Sequence, residues 1–107
     1  MEPIMQCQVD LFADNLPSMD EIEHLNRFVN SSERNRITFS EQVEENISKT
    51  GSKAVLAVGI GLFILGRNEE AVKKLEKATD NKEKFTYLTF ALRRLGRFDE
   101  AIENLEK

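Results

Sequence analysis

Cysteine is almost absent from this chain of 107 residues: Cys7 stands alone. No intramolecular disulfide and no cysteine-built zinc site can form. That suits a reducing compartment, and a cytoplasmic location is expected. Two prolines and five glycines are too few for a sheet rich in tight turns. There is no tryptophan and a single histidine, His24, so acid–base and metal chemistry have little to draw on. Long apolar runs are missing too. The longest, Ala54 to Leu65, has 12 residues, where a bilayer-crossing helix needs about 20; no membrane span is expected. The N-terminus has no basic stretch ahead of an apolar core, so no signal peptide is visible. Nor is positive charge in excess. The net charge is −4, whereas nucleic-acid binding calls for a basic footprint; no nucleic-acid partner is expected.

What is present is helical. Hydrophobic residues make up 40% and charged residues 32%, enough for one small domain with an ordinary core. Ser18 followed by Glu21 is a capping box, and Ile22, Leu25, Phe28 and Val29 continue at helical spacing. Asn30-Ser31-Ser32 breaks that pattern. Thr38 with Glu41 predicts a second capping box, opening a helix of about eleven residues that carries Phe39, Val43 and Ile47 and stops at Thr50-Gly51. Ser52 opens a third helix, stopped by Gly66. Asn68 is the expected cap of a fourth, running to about Thr79. Asp80 with Glu83 predicts a capping box for a fifth, which Gly96 stops, and a sixth begins near Phe98. Residues 1–17 are the least regular. Cys7, Val9 and Leu11 alternate with polar residues as in a strand, but a lone strand is unstable, so an arm is expected.

The most informative pattern is an echo at a distance of 30 residues. Leu65-Gly66-Arg67-Asn68-Glu69-Glu70-Ala71-Val72-Lys73-Lys74-Leu75 returns as Leu95-Gly96-Arg97-Phe98-Asp99-Glu100-Ala101-Ile102-Glu103-Asn104-Leu105. Such a period marks stacked structural repeats, whose units cannot bury their apolar faces alone. Val55, Val58-Gly59 and Leu62, then Ala71, Leu75 and Ala78, form one unit. Phe85, Leu88-Thr89 and Leu92, then Gly96, Phe98, Ala101 and Leu105, form the next. The small residues let helices approach closely.

Residues 52–107 therefore resemble tetratricopeptide repeats, most specifically at Gly96-Arg97-Phe98-Asp99-Glu100-Ala101. The period is shortened to 30 from that family's 34, and Glu83 stands where its closing proline falls. The resemblance implies an all-α fold of stacked antiparallel helix hairpins in a right-handed superhelix: an arm over 1–17, a helix pair over 18–51 that is either a degenerate repeat or a cap, one repeat over 52–80 and a truncated one over 81–107. It also implies a protein-interaction scaffold and not an enzyme. In that family one side of each first helix lines a concave groove. Here that side carries Lys53, Leu56, Ile60 and Phe63, then Thr86, Tyr87, Phe90, Arg93 and Arg94. Either a protein or peptide partner covers this surface, or the chain's own Ile22, Leu25 and Phe28 do. The groove lacks the asparagines used to clamp a chaperone tail's terminal carboxylate. A regulatory piece of a larger protein is a further alternative.

Little else points to chemistry. Glu41, Glu44 and Glu45, and Glu69 with Glu70, suit solvated faces and first helical turns. Gly59-Ile60-Gly61 lies within a helix and lacks a phosphate loop's strand. Arg93, Arg94 and Arg97, with Lys73, Lys74 and Lys77, read as solvated faces. No metal and no cofactor is expected. The sixth helix carries Phe98, Ile102 and Leu105 on one stripe, and the sequence stops at Lys107, short of a counterpart to Ala78. An open end is expected there, either continued in a longer protein or paired in a homodimer.

Overall fold

The computed structural model describes residues 11–12, 17–49 and 51–105, without the side chains of Ser52 and Leu105. Among these the fold is all-α. Its helices are α1 (Met19–Val29), α2 (Glu33–Asn46), α3 (Ser52–Ile64), α4 (Asn68–Glu76), α5 (Lys82–Arg94) and α6 (Phe98–Leu105). Successive helices pack as hairpins, and α4 also packs on α5. The strand-like alternation at Cys7 and Val9 lies outside the described residues. Leu11, from the expected arm, is in the core at 2% exposure.

Both echoed phrases fold into the same turn. Gly66 has φ +84° and Gly96 φ +77°, the left-handed conformation that glycine adopts without a Cβ penalty. The amide of Arg67 donates to the carbonyl of Leu62, and that of Gly66 to the carbonyl of Phe63. Thirty residues on, the amide of Arg97 donates to Leu92 and that of Gly96 to Arg93. This is the paired carbonyl capture of a Schellman motif. Each arginine then forks onto the glutamate three residues on: Arg67 to Glu70 through two bonds of 2.7 Å, Arg97 to Glu100 through two of 2.6 Å. The forks hold Glu70 and Glu100 below the usual carboxylate range.

Three caps differ from expectation. Thr38 is inside α2, whose cap is Ser32, accepting from the Asn35 amide at 3.1 Å. The earlier serine acts first, and the intervening glutamate and arginines favour helix. Asn68 is the first residue of α4 and not its cap; Arg67 holds that place without a side-chain cap bond, because the preceding turn already fixes its backbone. The cap of α5 is Asn81, accepting from the Lys84 amide at 2.8 Å. Asp80 instead takes the Lys84 ammonium at 2.8 Å, and the same ammonium donates to the Ala78 carbonyl at 2.9 Å. That bond serves a carbonyl in the link just past α4 and its C-cap Lys77.

Helix α3 is the axis of the core. Every residue from Val55 to Leu65 is buried. A Cβ on Gly59 would stand 2.7 Å from Leu75 Cγ, and one on Gly61 2.9 Å from Val43 Cγ2. Gly59 thus seats α4, and Gly61 seats α2 with Leu11 and Phe39 nearby. The N-terminal pair is fastened by polar bonds as well. Asn30 donates to the Ile64 carbonyl at 3.3 Å, Arg36 to the Leu65 carbonyl at 2.8 Å, and Lys74 to the Ile47 carbonyl at 2.9 Å.

Gly→Ala inside a helix normally stabilises by about 1 kcal/mol. Here the sign reverses. Leu75 and Val43 are both 0% exposed and have nowhere to move, and overpacking costs about 1–3 kcal/mol. Gly59→Ala and Gly61→Ala are each expected to lower the urea midpoint. A midpoint raised in both variants contradicts this packing.

Candidate functional site

A cleft of about 660 Å³ opens between α1, the end of α3, α5 and the start of α6. Its floor is aromatic. Phe63 meets Tyr87 edge-on at 5.6 Å and stacks with Phe90 at 6.0 Å, while Tyr87 and Phe90 meet edge-on at 5.8 Å. Such mutual contacts hold rings in fixed orientations. The three come together because α3 and α5 lie side by side, and Tyr87 and Phe90 fall on one face of α5 at a spacing of three.

The rim is charged, with opposite signs across the cleft. On the α5 side stand Arg93 and Arg94. The Arg94 guanidinium lies 4.2 Å from the Phe63 ring centre, a cation–π contact, and donates to the Phe63 carbonyl at 3.4 Å. On the α1 side stand Asp20 and Glu23, with Met19, Ile22 and Asn26 beside them. Burial first, then the carboxylates of Glu23 and Glu83, push the Tyr87 phenol up to about 12. It stays a neutral hydrogen-bond donor at physiological pH.

The expected site residues divide. Phe63 (4% exposed) and Tyr87 (5%) form the floor, and Phe90 (39%) and Phe98 (59%) are open to solvent. Leu56 and Ile60, expected in the groove, are sealed in the core at 5% and 0%, within the cluster that includes Leu11, Ile22 and Leu25. Neither lines the cleft. Lys53 is exposed and Thr86 half-buried, and neither lines the cleft. Ile102 is exposed at 58%, and the Leu105 side chain lies outside the described residues. The wall supplied by α1 was not anticipated. Its only sequence signal is the polar flank of an amphipathic helix, which does not say what it faces.

No protein-family model matches this sequence, and no curated protein and no solved structure matches the chain. Among the described residues no group of three His, Cys, Asp or Glu side chains is placed to hold a metal ion, and no helix is long and apolar enough to cross a membrane. His24 is exposed on α1. The cleft's chemistry is apolar contact with charged edges.

Tyr87 is the only tyrosine and there is no tryptophan, so its titration can be followed directly by absorbance. The phenol is expected to ionise near pH 12 in the folded protein, against about 10 unfolded. The folded state thus holds this proton more tightly, so stability falls as pH rises from about 10 towards 12. Tyr87→Phe removes that part of the alkaline loss. A phenol ionising near pH 10 in the folded chain contradicts the burial described.

Proposed function

We propose that this protein is an interaction scaffold of the tetratricopeptide-like kind, with a binding and not a catalytic role. Its partner is a protein or peptide segment whose apolar side chains enter the cleft between α1 and α5. The observation that carries this reading is the exposure of Phe90 and Phe98, at 39% and 59%, at a concave aromatic surface. A helix end and two neighbouring helices shape that concavity, as in grooves that accept a partner's helix or extended segment. Arg93 and Arg94 on one wall and Asp20 and Glu23 on the other set the direction in which a charged segment lies, since complementary rims fix register more than they add affinity. A repeat stack supports this role by analogy, because such scaffolds present extended binding surfaces.

The test is affinity capture from native lysate with the wild type and Phe90→Asp. Phe90 is open enough for the substitution to leave the fold standing, which thermal unfolding checks. Losing an aromatic contact of about 1.5–3 kcal/mol weakens binding roughly tenfold or more, so specific partners are expected with the wild type and lost with the variant. Identical recoveries from both refute the cleft as the binding site.

A further inference from the structure

The two echoed turns make the same backbone bonds, but only the first receives side chains from the N-terminal pair. The Asn30 side-chain amide donates to the Ile64 carbonyl at 3.3 Å, and the Arg36 guanidinium to the Leu65 carbonyl at 2.8 Å. In the second turn the corresponding carbonyls are those of Arg94 and Leu95. Among the described residues neither accepts a side-chain bond, and the turn at Gly96 forms all the same. The bonds from Asn30 and Arg36 are therefore not needed to make a turn. What they do is join the link between α1 and α2 to the end of α3. They also act as a unit. A second nitrogen of the Arg36 fork, Nη1, donates to Asn30 Oδ1, so one guanidinium bridges Asn30 and Leu65. Asn30 in turn donates to the Asn26 carbonyl at 2.9 Å and to Asn26 Oδ1 at 2.7 Å. Asn26 and Ile64 both line the cleft. Asn35 and Ser31 donate to the Phe28 carbonyl at 2.9 and 2.6 Å, which ties the start of α2 to the end of α1.

We propose that Arg36 is the positioning residue of the cleft: bridging Asn30 and the Leu65 carbonyl, it sets where the α1 wall, with Asp20 and Glu23, stands against the floor made by α3 and α5. Burial of Ile22, Leu25 and Val29 presses α1 onto the core, but that attraction is non-directional and does not fix the helix's angle or register. A planar guanidinium whose separate nitrogens hold two partners does fix them. Lysine, a point charge on a flexible stem, does not hold both partners in this geometry. Arg36 is half-buried and, among the described residues, makes no ion pair, so its donors are committed to neutral acceptors in the two elements it joins. The meaning for binding rests on the reading of the cleft given above. The placement of α1 does not, and it is tested without a partner.

The test is amide hydrogen exchange, followed by mass spectrometry on the full chain at neutral pH. Arg36→Met keeps an apolar stem and loses both donors. Exchange across 19–29 is expected to quicken about tenfold or more, because hydrogen bonds from a charged group are lost, while exchange across 68–105 stays as in the wild type. Tyr87 reports the cleft directly, being the only tyrosine in a chain without tryptophan. Its emission is expected to become more open to acrylamide quenching in Arg36→Met. Arg36→Lys is expected to behave like Arg36→Met. Asn30→Ala is expected to do the same, and it serves alone if Arg36→Met lacks wild-type helicity. The double variant Asn30→Ala with Arg36→Met is expected to exceed neither single, since the two residues act as a unit. Unchanged exchange across 19–29 overturns the proposal. So does uniform quickening in all six helices, because Arg36 then serves general stability. Wild-type behaviour of Arg36→Lys, or effects that add in the double variant, overturns the bridge. A failed partner capture with Phe90→Asp leaves each of these results standing.

Discussion

The whole arrangement depends on how closely α3 is approached from two sides. A thirteen-residue helix, Ser52–Ile64, with no exposed face past its first turn can exist only if neighbours come near enough to exclude water around its full circumference. Gly59 and Gly61 make that possible on different flanks. One admits Leu75 of α4, the other Val43 of α2. Interiors pack at crystalline density, so these two backbone approaches set the spacing of the core. Because α2 is seated through Gly61, the N-terminal pair belongs to the same core as the echoed hairpins. Helix α1, which precedes α2 and packs on it, is thereby held where its residues form a wall of the cleft with α5.

The turn between paired helices solves a different problem. A helix end leaves carbonyls without partners, and a short hairpin has few residues with which to serve them. In each echoed phrase a glycine in the left-handed region lets the chain capture two carbonyls, and the next residue is already at the entrance of the following helix. The arginine there cannot cap with its side chain, so it forks onto the third residue of the helix instead. The pair is exposed and worth little in free energy. Its fork geometry does narrow the conformations open to the turn. The two turns accordingly make the same bonds, and they differ only where their surroundings differ.

Much of this was legible because it is local. Glycine turns, the Ser18 capping box and the periodic stripes each depend on residues within a few positions. Where sequence reading failed, competition between nearby groups decided. Thr38 lost to Ser32, six residues earlier, and Asp80 lost to Asn81 because its carboxylate serves Lys84. The site was legible by half. Phe63, Tyr87, Phe90, Arg93 and Arg94 line one cleft. Leu56 and Ile60 do not, because the N-terminal helices and Leu11 complete the core around α3. No local pattern states the angle at which one helix pair docks on another, and so the acidic wall of α1 had no readable signal.

That wall changes the physics of the cleft. Arg94 is drawn over the Phe63 ring and tied to its carbonyl, so its charge is held at one place on the rim and does not sweep through solvent. The carboxylates of Asp20 and Glu23 stand across an apolar floor from it. A field of this kind, between low-dielectric walls, orients a dipolar or amphipathic segment before contact, while the rings beneath it supply the non-directional attraction. The charges and the rings are different residues, although Tyr87, Phe90, Arg93 and Arg94 all belong to α5. If the cleft binds a segment as proposed, substituting the rim would change the direction that segment favours, and substituting the floor would change whether it binds.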